Sequence, residues 1–254
     1  MTKNAVIYGG GGAIGTAVAT ILAKQGVRVH LVGRTLERLQ QAAGGIESVE
    51  VAVVDALDEA AVVAHAESVV ERFGSLDISL NLVARGDVQG TPLIEMAAED
   101  FLAPVANAAR AHFNTARAAA RIMTTRGSGV IVVLNSGSGH AGSPMMGGTG
   151  PADAALDSLC RNLAYETGPS GVRVVGVWVA GIPETLTPEK LGAVNPAMGT
   201  PEAHQGVLNH LASLRMTKRS PRLAEVAETV AFLASDHARG ITGTFVNATG
   251  GMFT

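Results

Sequence analysis

An apolar run, GVIVVLN, ends at Ser136, and thirteen residues on a helical pattern opens with Thr149 and Asp153 one turn apart. Hydroxyls and a carboxylate beyond the end of a strand are the groups that bind a substrate oxygen or move protons. Neither Thr149 nor Asp153 is an obvious proton donor at neutral pH, because a threonine hydroxyl is too weak an acid and an ordinary aspartate is already ionised. A desolvated Asp153 would titrate upward and become an acid itself. His140, in the glycine-rich SGSGHAG, is the one histidine near these residues in the chain, and reads either as a substitute acid or as an exposed loop residue.

A second chemistry is written near the start, in VIYGGGGAIGTAVA. A glycine-rich turn between a strand and a helix lets the backbone approach a pyrophosphate, which then rests on the amide-rich helix N-terminus. Gly9, Gly11, Gly12, Ile14 and Gly15 are the residues assigned to that contact. The next strand ends VHLVGRT, with Gly33 and then Arg34 where an NAD-binding chain places an acid for the ribose hydroxyls. A guanidinium pairs with a 2′-phosphate in a forked geometry, so Arg34 favours NADP(H) over NAD(H).

These groups need a frame, and the patterning supplies one. Apolar runs NAVIY, VRVHLV, VEVAVV, LDISLNLV, GVIVVLN, GVRVVGVWV and GTFVNA alternate with helical stretches, several of which stop at glycine. Continuous apolar runs are parallel strands covered on both faces. The pattern predicts one domain over 1–254, a doubly wound, seven-stranded parallel α/β sheet of the Rossmann kind. The break at about 182–220, rich in Pro, Thr, Met and His, is placed to be a substrate lid beyond a strand's carboxyl end. Pro104, inside a helical pattern, is expected to kink that helix or mark its first turn.

Composition narrows the function. Of 254 residues 47% are apolar and 16% charged, with a net charge of −3 and no basic run, which argues against a nucleic-acid surface. The longest apolar run is too short and interrupted to span a bilayer. A lone cysteine, Cys160, forms no internal disulfide, so a cytoplasmic location is expected. The histidines have no paired metal-ligand spacing, and no metal is expected.

The chain resembles the short-chain dehydrogenase/reductase family nearly end to end. YGGGGAIG is similar to that family's TGxxxGxG, with Tyr8 for Thr and Ala13 for the middle Gly. LDISLNLVA stands where LDILVNNAG would, keeping Asn81 of the NNAG motif; AGIPET resembles PGxxxT, with Ala180 for proline. FLASDHARGITGTFVNATGG resembles the closing motif, with Thr249 for its aspartate. The resemblance implies that Asp55 contacts adenine, that Asn81 belongs to the cofactor site, and that Gly181, Ile182 and Thr185 cover the nicotinamide carboxamide. It also implies a homo-oligomer, dimer or tetramer, paired through the two long helices, here about 95–125 and 153–168.

Carbonyl-reducing members carry an Asn–Ser–Tyr–Lys set, and here the resemblance breaks. The serine falls on Ser136, which is implied to hold the substrate oxygen. Tyrosine is replaced by Thr149 and lysine by Asp153, while the asparagine position falls on Ala108, with Asn107 beside it. Tyr165 lies sixteen residues past Thr149, roughly 24 Å along a helix, so no register slip restores the pair. The lysine-to-aspartate reversal leads to an expectation that the site takes a cationic substrate, such as an iminium. Three functions remain open: an NADP(H) oxidoreductase on a small molecule with a non-standard site, a non-redox cyclase or isomerase that keeps the cofactor as structure, or a non-catalytic binding protein.

Overall fold

The computed structural model describes residues 2–252; residues 1, 253 and 254 of the span expected to form one domain lie outside the described residues. Strands β1 (Asn4–Tyr8), β2 (Arg28–Gly33), β3 (Val49–Val53), β4 (Ile78–Asn81), β5 (Gly129–Asn135), β6 (Val172–Trp178) and β7 (Phe245–Asn247) form one sheet. All pairings are parallel, in the order β3-β2-β1-β4-β5-β6-β7. The expected seven-stranded doubly wound sheet is therefore found.

Alternation along β1 shows how the two faces are built. Ala5 and Ile7 pack with Val18 and Leu22 of α1 (Ala13–Lys24), Leu39 of α2 (Leu36–Ala43) and Val226 and Val230 of α8 (Leu223–Ala234). Val6 and Tyr8 point the other way, onto α3 (Glu59–Phe73), α4 (Ala98–Arg126) and α5 (Thr149–Thr167). Glycines in the left-handed region end α3 at Gly74 (φ 83°) and α4 at Gly127 (φ 75°).

Pro104 lies within α4, beyond its first turn, in one continuous helix. Its ring packs against the start of α5, where a Cβ on Gly148 would stand 2.9 Å from Pro104 Cγ. Between β6 and α8, where the lid is expected, lie two short 3₁₀ turns with α6 (Pro188–Val194) and α7 (Pro201–Ser213).

The order of strands reverses between β1 and β4, and their carboxyl ends open a crevice there. Ligands of open parallel sheets sit at such a switch point.

Candidate active site

The turn from β1 to α1 forms one wall of this crevice. Gly9 has φ +76°, and a Cβ on it would stand 2.6 Å from the Leu82 backbone. Gly15 presses on Gly10, where a Cβ would lie 2.7 Å from the Gly10 carbonyl oxygen, so α1 meets the turn backbone to backbone. Gly12 is different: as the N-cap of α1 it offers no side-chain cap, and an added Cβ would meet only Gly9 O, at 3.5 Å. It borders two hollows, and a methyl there would fill the place a ligand needs. The first-turn amides, with no acid to cap them, suit a pyrophosphate. A dinucleotide fits this cradle.

One hollow is lined by Gly11, Gly12, Arg34, Arg38 and Asp55. Arg34 and Arg38 are exposed, and neither has an ion pair among the described residues. Asp55 uses Oδ1 to accept from Leu57 N at 2.9 Å and offers the rest of its carboxylate to the hollow. The second hollow shares Gly9, Gly12, Leu82, Val83, Ala84 and Lys190 with the first, and adds Ile14, Gly15, Arg85, Asp87, His112, Ser136 and Thr185.

Three residues assigned to the cofactor sit otherwise than expected. Asn81 is buried, and its amide donates to Ala111 O (3.1 Å) and Thr115 Oγ1 (2.9 Å) while its oxygen accepts from Val83 N (2.9 Å). It shapes the loop that lines the crevice and does not face the crevice. Ile182 is buried in the apolar core. Gly181 packs against Arg215, a wholly buried guanidinium that donates to Ala180 O, Gly181 O, Leu211 O and Thr249 O. Of Gly181, Ile182 and Thr185, the residues expected over the carboxamide, Thr185 alone reaches the crevice wall.

The floor of the second hollow is an ionic cluster centred on Arg85. This residue follows β4 and was not singled out in the sequence. Its Nη1 donates to Asp153 Oδ1 at 2.5 Å, and its Nε donates to Asp87 Oδ1 and Oδ2 at 2.9 and 3.0 Å. Asp153 is 0% exposed. Its second oxygen, Oδ2, accepts from Ser136 Oγ (2.5 Å), Ser136 N (3.2 Å) and Ser138 N (2.9 Å). Each of these neighbours is a donor, so both carboxylate oxygens of Asp153 act as acceptors within the protein. The lysine-to-aspartate reversal is thus answered inside the protein by Arg85, which removes the ground for expecting a cationic substrate.

Proton directions follow from these contacts. Ser136 gives its hydroxyl proton to Asp153, so the 2.7 Å contact between Ser136 Oγ and Ser138 Oγ has Ser138 as donor. Thr149, buried, donates to Asp87 Oδ1 at 3.0 Å and accepts from Gln89 Nε2 at 3.1 Å. Both hydroxyls in family catalytic positions therefore point their protons at carboxylates. Burial pulls the Arg85 guanidinium down, but Asp153 and Asp87 together hold it above its usual value. Its Nη2 has no hydrogen bond among the described residues and is not among the buried unpartnered atoms, so it keeps some exposure, and Arg85 as a residue lines the crevice.

α4 supports this loop from behind. Asn107 donates to Arg85 O at 3.1 Å. One turn on, buried His112 makes a 3.0 Å bond between Nδ1 and Ala108 O, which fixes Nδ1 as donor and leaves Nε2 an acceptor. Nε2 is buried without a partner beside the crevice. Burial, opposed by the Ala108 carbonyl and aided by Arg85, lowers the His112 pKa to about 4.

His140 lies apart from Arg85, on the loop between β5 and α5, and does not line the crevice. Its Nε2 meets Asp157 Oδ2 at 2.6 Å, and Asp157 also accepts from Asn135 Nδ2 at 2.8 Å. Cys160 is buried and its thiol is pushed up to about 12, chiefly by burial. Among the described residues no three His, Cys, Asp or Glu gather as a metal site requires, and no helix is long and apolar enough to cross a membrane.

A family model described as Enoyl-(Acyl carrier protein) reductase matches residues 11–253. Levodione reductase of Leifsonia aquatica is 28% identical over 254 residues, covering 97% of this chain and 92% of that protein. A crystal structure of levodione reductase superposes with a TM-score of 0.87 over 98% of this chain and 96% of the other, at 28% identity. An NAD+-bound xylitol dehydrogenase does so with a TM-score of 0.86 over 98% of each chain, at 25% identity.

Proposed function

The chain belongs to the short-chain dehydrogenase/reductase family, and from that premise we propose that it is an NADP(H)-dependent oxidoreductase acting on a small molecule through a rebuilt catalytic floor. The observation that carries this reading is the continuity of the glycine cradle with the Arg85–Asp153 pair across one crevice. A nicotinamide bound there supplies or accepts a hydride. The chain's own residues hold it: the α1 amides and Gly9–Gly12 at the pyrophosphate, Arg34 and Arg38 at a 2′-phosphate, Asp55 at the adenine, and Thr185 near the carboxamide. Asp153, Ser136 and Thr149 position Arg85 and the loop around it, while the helical excursion at about 182–220, with Lys190 on its inner edge, closes the crevice as a lid.

Exposed Phe113 on α4 and Tyr165 on α5 support a homo-oligomer, dimer or tetramer, joined through those helices. A cytoplasmic location belongs to the same proposal. Fluorescence titration with NADPH and NADH, followed by loss of absorbance at 340 nm with a substrate panel, tests the reading. NADPH must bind more tightly than NADH, and at least one compound must consume it; failure to bind either cofactor sinks the proposal.

A second reading has one observation in its favour. Asp153 and Thr149 have every polar atom engaged within the protein, which suits a non-redox pocket that works by positioning its substrate. Turnover without oxidation of the cofactor distinguishes it.

A further inference from the structure

We propose that His112, through Nε2, is the residue that selects the substrate, and that it does so by accepting a hydrogen bond from a hydroxyl group carried beside the reacting centre. This inference rests on the oxidoreductase reading above and names a feature of its substrate.

His112 lies on α4 and is 4% exposed. Its Nδ1 stands 3.0 Å from Ala108 O, an oxygen that only accepts, so Nδ1 holds the ring proton and Nε2 the lone pair. Burial and the nearby Arg85 charge hold its pKa down to about 4, so at neutral pH the ring is uncharged and Nε2 stays an acceptor. That nitrogen is buried with no partner among the described residues. His30 Nε2 and His65 Nδ1 are buried and unpartnered too, but neither residue borders the crevice. His112 does, with Arg85, Ser136 and Lys190. A buried acceptor left empty carries the cost of its lost hydration, which a ligand that donates to it recovers.

The surroundings of Nε2 restrict what can donate to it. A carbonyl, ether or carboxylate brings only lone pairs. A cation can donate, but Arg85 lies near enough for its charge to depress the histidine, and two like charges would then share a desolvated corner. The same repulsion holds off the Lys190 ammonium, which lines the crevice from the lid and is exposed, with no ion pair among the described residues. A hydroxyl is neutral, donates one proton and still accepts. It can give its proton to His112 while its oxygen takes one from Arg85 or Lys190. Those two cations hold substrate oxygens of any kind, whereas His112 separates a hydroxyl from an ether or carbonyl of the same size. A site that leaves a buried polar atom unpaired when the wrong ligand binds discriminates strongly against that ligand.

Two experiments test this on the intact protein. The first needs neither turnover nor a variant. Histidine is labelled with ¹⁵N, and the His112 Nε2 resonance, assigned through the ring from its own backbone, is followed in protein saturated with NADP+. The probes are glycerol and 2-hydroxycyclohexanone, each beside its O-methyl ether. The expected result is a resonance that NADP+ and the ethers leave in place and that a hydroxylated probe moves in the direction of an accepted hydrogen bond. A nitrogen unmoved by both hydroxylated probes overturns the inference, since water or nothing would then be its partner. Movement with NADP+ alone overturns it as well, because the cofactor's carboxamide would be the donor.

The second experiment follows NADPH consumption with matched cyclic ketones that carry a neighbouring hydroxyl, methoxy group or hydrogen. The hydroxy ketone is expected to have a kcat/KM at least about tenfold above both others, the worth of one buried hydrogen bond, and expressed mainly in KM. In His112→Phe the ratio should collapse toward one, and His112→Gln, which keeps an acceptor, should retain part of it. Equal use of hydroxy and methoxy ketones overturns the inference and leaves the oxidoreductase reading intact. So does a preference that survives His112→Phe but is lost in Lys190→Met, which would make the lid lysine the selecting group. If no compound consumes bound NADPH, the oxidoreductase reading falls, and the nitrogen resonance still decides whether His112 meets a hydroxyl.

Discussion

Arg85 and Asp153, 68 residues apart in the chain, meet through Nη1 and Oδ1 at 2.5 Å, with the carboxylate wholly buried. Buried pairs of this kind are unforgiving when one partner is removed, because the other is left charged and unsolvated.

Asp153→Asn is therefore expected to cost ~3 kcal/mol or more of unfolding free energy. The amide also brings N–H groups toward donors from Ser136 and Ser138. Urea denaturation checks this, and a cycle with Arg85→Met separates the pair from the cavity. A coupling energy near zero would show that the two groups do not depend on each other.

Two glycines of the β1–α1 turn are expected to fail in opposite ways. Gly12→Ala leaves the fold intact, since its Cβ meets only Gly9 O at 3.5 Å. It should weaken NADPH binding by about tenfold or more, the loss of one charge-assisted bond to phosphate. Gly9→Ala, at φ +76° and 2.6 Å from Leu82, should instead lower stability by on the order of 2 kcal/mol or more. Thermal melts beside a fluorescence titration distinguish the two.

Arg34→Ala should reduce affinity for NADPH by about 10- to 100-fold, the range for hydrogen bonds to charged groups, and leave NADH binding almost unchanged. Arg38→Ala should act in the same direction, because both guanidinium groups border one hollow. Equal losses for both cofactors would contradict a 2′-phosphate contact.

Acid should unfold this protein earlier than its carboxylates alone would suggest. Burial holds His112 and His30 down to about 4, and His65 also below its usual value. The unfolded chain binds these protons first, near the ordinary histidine value of 6.5. Their contribution is therefore complete above about pH 6.5 and is lost as pH falls toward about 4. For His112 alone the loss is roughly 3 kcal/mol. His112→Leu should flatten the melting temperature between pH 6.5 and 4, and an unchanged slope would count against the assignment.

Restoring the family's tyrosine and lysine should fail if Arg85 is kept. Thr149→Tyr with Asp153→Lys would set an ammonium against Arg85 Nη1 in a buried place. Ketone-dependent oxidation of NADPH should appear only when Arg85→Ala is added as well. Activity in the double variant would mean that Arg85 moves aside.

The sheet and the glycine turn were legible because each is a local pattern, a continuous apolar run, a helical period or a glycine-rich turn, while the Ser136 and Thr149 positions came through the family resemblance. Arg85 and Asp87 were not, since they lie on an irregular loop and gain meaning only from Asp153 and Thr149, more than sixty residues away. His112 looks like any helical residue, and only its unpartnered nitrogen distinguishes it. Asn81 was read by motif, and its two amide bonds to α4 show it to be framework. Arg215 was hidden for a similar reason: its partners are backbone carbonyls, which leave no trace in residue types.

The direction of the protons at Ser136 and Thr149 has one more consequence. Asp153 satisfies Arg85 and orients Ser136, while Asp87 satisfies Arg85 and orients Thr149. A single change at Arg85, Asp87 or Asp153 strands a charge, so intermediates between this floor and the Tyr–Lys arrangement are disfavoured one step at a time. The site is epistatically locked: its residues are exchangeable only as a set.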